Sequence, residues 1–418
     1  MTGLHAKLDT LWRLESPRIV ARLARMTGDV GAAEELSQDV LLAALERWPR
    51  DGVPDNPAAW LTTAARRRGI DHLRQRRLRA DKHVLLASET EDDAMAWIDE
   101  DRLDEGIDDD LLRLVFVACH PVLPPDARVA LTLRLLCGLG TDEIARAYLQ
   151  SEATIAQRIV RAKRMLAQKR VPFEVPRKDE LDERLDSVLE VVYLVFNEGY
   201  SASAGEDWMR PALCEEALRL GRVLCALMPR AAEVHGLLAL MELQASRLRA
   251  RSGRDGRPVL LQDQDRSRWD RLQIARGLAT LQQALRLGGA QEPYTLQASI
   301  AACHATATRA ERTDWARIAA LYAQLAKAMP SPVVELNRAA AIGHAQGAQA
   351  ALPLVDALVD EPLLRDYPQL PALRGDLLER LQRHAEARIE FERAAALTRN
   401  AGERMQMQAR AHACRQRE

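Results

Sequence analysis

The sequence predicts an all-α protein. Apolar residues recur at intervals of three and four through most of the chain, a short helix and a longer one form a helix-turn-helix pattern before its middle, and tandem amphipathic windows fill the C-terminal half. At 418 residues and 47% apolar composition, the chain can bury a large core and should hold two or three domains. Its formal net charge is only -1, so affinity for a polyanion has to come from local segregation of charge.

Segregation begins early. Ile19, Leu23 and Met26 mark a first helix, which Gly28, Asp29 and Gly31 break. The next window, AAEELSQDVLLAALERW, puts Ala33, Leu36, Val40, Leu41, Ala44, Leu45 and Trp48 on an apolar side, with Glu34, Glu35, Gln38 and Asp39 on an acidic, exposed one. A loop from Pro49 to Pro57 leads into NPAAWLTTAARRRGIDHLRQRRLR, where Asn56 can cap a helix and Pro57 can occupy its first position. Trp60, Leu61, Ala64, Ala65, Ile70 and Leu73 form its apolar side. From Arg66 to Arg79 it carries seven arginines against Asp71, a charge of +6 in fourteen residues. A solvated face is the plainer reading of such a run, and a surface for phosphates the sharper one.

From Asp81 to Asp110 the sign reverses, with thirteen acids against Lys82 and Arg102, which reads as a flexible linker with a helical turn around Met95 to Ile98. Helical spacing resumes at Leu111. Gly138 then precedes a short helix, TDEIARAY, a tight connection, LQS, and a longer helix, EATIAQRIVRAKRML. In the longer helix Ile155, Ile159, Ala162 and Met165 would pack inward, leaving Thr154, Gln157, Arg158, Arg161 and Arg164 on the opposite side. Arg, Gln and Thr are side chains that reach base edges and phosphates from a helix laid in a major groove.

Together, AEELSQDVLLAALERW, AWLTTAARRRGIDHLR and LPPDARVALTLRLLCGLGTDEIARAYLQSEATIAQRIVRAKRML resemble an extracytoplasmic-function sigma factor of bacterial RNA polymerase over roughly residues 10 to 170. The resemblance implies a first sigma domain over 1–80, the acidic linker over 81–110, and a second sigma domain with the helix-turn-helix over 111–171. It also implies that Glu35, Leu36, Gln38 and Asp39 dock on core polymerase, that Trp60, Arg66, Arg67, Arg68, Arg74 and Arg77 hold the melted −10 element, and that Thr154, Gln157, Arg158, Arg161 and Arg164 read the duplex −35 element. A cationic track with an aromatic platform suits a single strand, and arginines on a groove-facing helix suit a duplex. Many members carry Asn where this chain has Arg67, and Gly in the turn where it has Leu149 and Gln150, so neither the −10 sequence nor the helix-turn-helix angle carries over.

The chain from Leu181 onward exceeds what such domains need. LDSVLEVVYLVF, ALCEEALRLGRVLCALMP, WARIAALYAQLAKAMP and AEARIEFERAAALT are amphipathic windows, and Ile318, Leu352 and Ala387 begin comparable helices 34 and 35 residues apart, near the tetratricopeptide period. A TPR-like α-solenoid over 180–418 is expected, clearest in its last copy, where Gly375 is followed by Ala387, Phe391 and Ala394. The polar stretch Arg249 to Arg266 should interrupt it. This extension resembles that of a subgroup of these sigma factors, on NEGYSAS (Asn197 to Ser203), LLQDQDRSRWDR (Leu260 to Arg271) and IAACHA (Ile300 to Ala305). Asp263 and Asp265 read as helix caps; Asn197, Glu198 and Tyr200 read equally as structural support or as regulatory contacts.

The expected function is a promoter-specificity subunit, with core RNA polymerase and promoter DNA as partners and a protein or peptide as partner of the extension. The alternative is a repeat-containing regulator that binds duplex DNA without polymerase. No catalytic motif is present: GLG at Gly138 to Gly140 follows a helix, not the strand a dinucleotide site requires. No cofactor or metal is expected, since the six cysteines are scattered without a C-x-x-C pair and read as buried thiols. The N-terminus lacks the features of a signal peptide and no apolar run approaches a membrane span, so a cytoplasmic protein is expected.

Overall fold

The computed structural model describes residues 2–84, 107–148, 150–177, 180–201, 209–253, 258–398 and 401–418. The expected turn around Met95 to Ile98 and Leu149 lie outside them. Among the described residues there is no strand, only an isolated bridge between Ser252 and Pro258. The chain divides into two compact units, Met1–Val192 and Tyr193–Glu418.

The first unit comprises α1 (Thr2–Thr27), α2 (Val30–Asp51), α3 (Pro57–Val84), α4 (Ile107–Ala118), α5 (Pro125–Leu135), α6 (Thr141–Ala147), α7 (Glu152–Gln168) and the start of α8 (Leu181–Tyr200). Helix α1 packs on α2, α3 and α4, and α5 packs on α7. Capping sets the boundaries. The Asp29 carboxylate accepts from the Gly31 and Ala32 amides at 2.6 and 3.2 Å to start α2, so the break falls at Gly28 and Asp29, and Gly31 is already helical. At the other end α2 continues through Pro49 to Asp51, which shortens the expected loop. Asn56 Oδ1 accepts from the Ala59 amide at 3.1 Å, and Pro57 opens α3 as the sequence predicts. The acidic segment is helical at both of its ends, as far as Val84 and again from Ile107, and Asp110 is buried between Arg25 at 3.2 Å and Arg113 at 2.6 Å.

The unit runs past the end of the helix-turn-helix. Arg128, buried in α5, donates to Ser187 Oγ at 2.6 Å and to Glu190 at 2.9 Å, Ser187 donates to the Cys119 carbonyl at 2.5 Å, and Arg184 donates to the Phe116 carbonyl at 3.0 Å. The first turns of α8 thus satisfy polar groups of α4 and α5.

The second unit continues with α9 (Pro211–Leu227), α10 (Ala232–Ala245), α11 (Arg271–Arg286), α12 (Pro293–Thr306), α13 (Trp315–Ala328), α14 (Pro332–Ala345), α15 (Ala348–Asp356), α16 (Gln369–Arg380), α17 (His384–Leu397) and α18 (Ala401–Arg415). From α12 on, each helix packs on the next, the nearest-neighbour pattern of a TPR-like solenoid. Ile318, Leu352 and Ala387 are buried near the starts of α13, α15 and α17. A Cβ on Gly375 would stand 2.8 Å from the Phe391 ring, so α16 and α17 approach at a distance only glycine allows. Gly375→Ala should therefore destabilise this end of the array by about 1–3 kcal/mol, read as a lowered denaturation midpoint with helix content retained.

The polar interruption is a tied segment. Buried Arg266 donates to the carbonyls of His304 and Ala307 at 2.6 and 2.7 Å, and to Thr313 Oγ1 at 3.3 Å. Asp265 accepts from the Ser267 amide at 2.9 Å, as a cap would.

Candidate nucleic-acid interface

Helix α7 is held by its own cap. The Ser151 hydroxyl accepts from the Thr154 amide at 3.1 Å, which fixes the turn entering the helix although neither position in it is glycine. Ile155, Ile159, Ala162 and Leu166 form the buried row; Leu166 takes the place expected of Met165, which is half-buried, because spacing of four after Ala162 keeps the row aligned with α5. Thr154, Gln157, Arg161 and Arg164 are exposed together. Arg158 is half-buried and pairs with Asp126 at 3.5 Å, so it is partly drawn toward α5.

Along α3, Leu61 and Ala65 are fully buried while Arg67, Arg74 and Arg77 stand in solvent. Trp60 packs edge-on against Trp48 at 5.5 Å, so its ring is braced and half-exposed. Arg66 and Arg68 are half-buried, and Arg68 reaches Asp39 of α2 at 3.0 Å. One residue expected on the polymerase side therefore orients one expected on the −10 side. Glu35 is exposed, Gln38 and Asp39 are half-exposed, and Leu36 is buried within the unit.

Glu34 does not belong with these. Expected on the exposed acidic side of α2, it is 6% exposed, and its two oxygens accept from Arg134 Nε at 2.6 Å and Lys163 Nζ at 2.8 Å. Burial alone would raise its carboxyl; the hydrogen bonds and charges of Lys163 and Arg134 outweigh that and hold it below the ordinary carboxylate value. The carboxylate thus ties α2 to α5 and to α7.

Cys119, one of the six cysteines, and its neighbour His120 are engaged within the unit. Cys119 Sγ lies 3.3 Å from Thr132 Oγ1 and burial pushes the thiol up to about 11, while His120 Nδ1 accepts from the Val122 amide at 3.0 Å and burial, helped by Arg184, brings the ring down to about 4.

Comparison with known proteins matches the two segments that carry α3 and α7. Residues 11–79 match Sigma-70 region 2, and residues 113–166 match Sigma-70, region 4. Over 178 residues the chain is 28% identical to the probable ECF RNA polymerase sigma factor SigI of Mycobacterium tuberculosis, covering 41% of this chain and 58% of that protein. The chain is an RNA polymerase sigma factor of the extracytoplasmic-function type. The regulator acting without polymerase is not favoured by these matches. An uncharacterised protein of Rhizobium meliloti (strain 1021) is 45% identical over 389 residues, 93% of this sigma factor and 91% of that protein, so the C-terminal extension belongs to both. Residues 184–285 match a family of unknown function, DUF6596. No solved structure matches the sigma factor.

In the extension, the structure separates Asn197, Glu198 and Tyr200. Asn197 lines a cavity of about 570 Å³ in the second unit. Glu198 pairs with Arg210. The Tyr200 ring lies beneath the guanidinium of Arg251, 3.6 Å from its centre, and stacks on Phe196. Between them, a Cβ on Gly199 would meet the Cys214 amide nitrogen at 2.6 Å, so α8 and α9 touch backbone to backbone. Glu198, Gly199 and Tyr200 build the start of the sigma factor's extension, and Asn197 faces its interior.

Proposed function

We propose that this sigma factor docks on core RNA polymerase through Glu35, Gln38 and Asp39 of α2 with Leu36 beneath them, holds a melted −10 strand along α3, and reads a −35 duplex with α7. In this reading Trp60 supplies a platform for a base and Arg66, Arg67, Arg68, Arg74 and Arg77 a cationic track. Thr154, Gln157, Arg158, Arg161 and Arg164 face the groove. The observation that carries the reading is the division of α7 into a buried row on α5 and an exposed side with Thr154, Gln157, Arg161 and Arg164. The protein acts by binding, in the cytoplasm, and among the described residues no helix is long and apolar enough to cross a membrane. The extension over 180–418, with Asn197, Glu198 and Tyr200 at its start, sets how much transcript the complex makes through a partner of its own.

In vitro transcription with core polymerase on a promoter library tests this: enrichment of promoters sharing two spaced elements is expected, and output no higher than core enzyme alone would overturn it. Arg161→Ala should cost about 1–3 kcal/mol at one −35 position if Arg161 grips a base edge. A loss uniform across the library would instead make Arg161 a phosphate contact.

A further inference from the structure

The cavity of the second unit gathers the extension's separate sequence segments. Asn197 comes from NEGYSAS, Leu261 and Trp269 from LLQDQDRSRWDR, and Ile300, His304 and Ala305 from IAACHA. Segments well separated in the chain meet on one hollow of about 570 Å³, within the ~300–1,000 Å³ range of small-molecule sites.

Its chemistry is one-sided. Among the described residues no Asp or Glu lines it, and Arg247 is the single permanent cation there. That guanidinium lies 5.5 Å from the Tyr200 ring centre and has no carboxylate partner among the described residues. His304 adds no charge, since burial, with Arg247 and Arg266 nearby, brings it down to about 3. Gln297 is engaged by the Tyr193 hydroxyl, which donates to its Oε1 at 3.3 Å. Gln244, Asn337 and the Tyr322 hydroxyl make no side-chain hydrogen bond among the described residues, and the buried Trp269 indole N–H has no acceptor there. Ser331 and Tyr367 complete the polar lining, and Leu240, Leu243, Ile300, Leu325 and Val334 lead its apolar part. Unspent donors around one cation, over an apolar floor, suit a molecule with an anionic head and a hydrocarbon or aryl body.

We propose that this cavity binds a small organic acid, an aryl or medium-chain carboxylate whose carboxylate pairs with Arg247 and whose body lies on the apolar wall. A guanidinium fork matches a carboxylate with two parallel hydrogen bonds, and the half-enclosed setting strengthens them over an exposed pair. This is a claim about binding and stands whether or not the extension governs promoter output.

Calorimetry on the full chain with benzoate, phenylacetate, indole-3-acetate, hexanoate, octanoate and decanoate, each beside its primary amide, tests it. At least one acid should bind with Kd below about 1 mM, its amide at least tenfold more weakly. Arg247→Gln should weaken the same acid tenfold or more. Because Arg247 also lies against Tyr200, Asn337→Asp provides a second reading from an exposed position: a new anion on the wall should repel the acid to a similar degree. Failure of all six acids, amides binding as well as acids, or both variants binding as the unaltered chain does would overturn the proposal. So would tighter binding of the peptide Ala-Ala-Leu-Leu-Phe with a free C-terminus than of any free acid, which would make the cavity a chain-end receptor.

Discussion

Glu34→Gln is expected to loosen the first unit by about 2–3 kcal/mol at pH 7, with faster hydrogen exchange in α2 and α7 and little change in α10 or α12. The acid is a tenth exposed and its partners about a fifth, so removing its charge leaves Arg134 and Lys163 facing a neutral amide in a half-dry contact. Its sign is checked by pH. Because the folded carboxyl is held below its ordinary value near 4.5, its contribution is fully present above that value and fades as pH falls through the folded one. The difference between variant and unaltered chain should therefore be constant from pH 6 to 8 and shrink below pH 4.5. A difference that persists unchanged into acid would mean that the substitution acts through packing, and the ion triad would not be what holds α2 to α5 and α7.

A chain ending at Arg170 is expected to be destabilised by about 3–5 kcal/mol, and one ending at Val192 far less. The first cut removes Ser187 and Glu190, the side-chain partners of buried Arg128 among the described residues, and it frees the Phe116 and Cys119 carbonyls. The second keeps these contacts. The sequence places the end of the second sigma domain at residue 171, and the start of α8 adds contacts to α4 and α5 beyond it. The pair of truncations also separates two roles. Promoter output several-fold different between residues 1–192 and the full chain, at matched concentration with polymerase in excess, would follow from regulation by the extension. Equal output would refute that regulation, and a deficit confined to the chain ending at Arg170 would mark the start of α8 as structural support alone.

What the sequence made legible follows from the range of the interactions involved. Caps such as Asn56 and rows such as Ile155, Ile159 and Ala162 are set by neighbours within a turn or two, so spacing exposes them. The exchange of Met165 for Leu166 is a one-residue drift of the same kind, since 3.6 residues per turn lets a row continue at three or at four. Glu34 was not legible in this way. An acid among Glu35, Gln38 and Asp39 looks solvated, and its partners lie 100 and 129 residues downstream. Arg266 hides similarly inside a polar stretch that suggests a loose loop, although its acceptors are 38 to 47 residues away. The three segments of the extension stood out as strings, but only folding shows that they wall one hollow and that Arg247, outside all of them, gives it its charge.

The Glu34 triad also sets a length scale. Promoter elements centred about 25 base pairs apart are separated by roughly 85 Å of duplex at 3.4 Å per pair. A compact unit of this size has a radius of gyration of about 16 Å. On the proposed assignment of α3 to one element and α7 to the other, a unit in which one carboxylate joins α2 to α7 is too compact to reach both at once. Promoter engagement then selects an opened population, and each ~1.4 kcal/mol by which the triad favours the closed one lowers apparent promoter affinity tenfold. On that proposal one acid among exposed neighbours sets how readily the promoter is occupied.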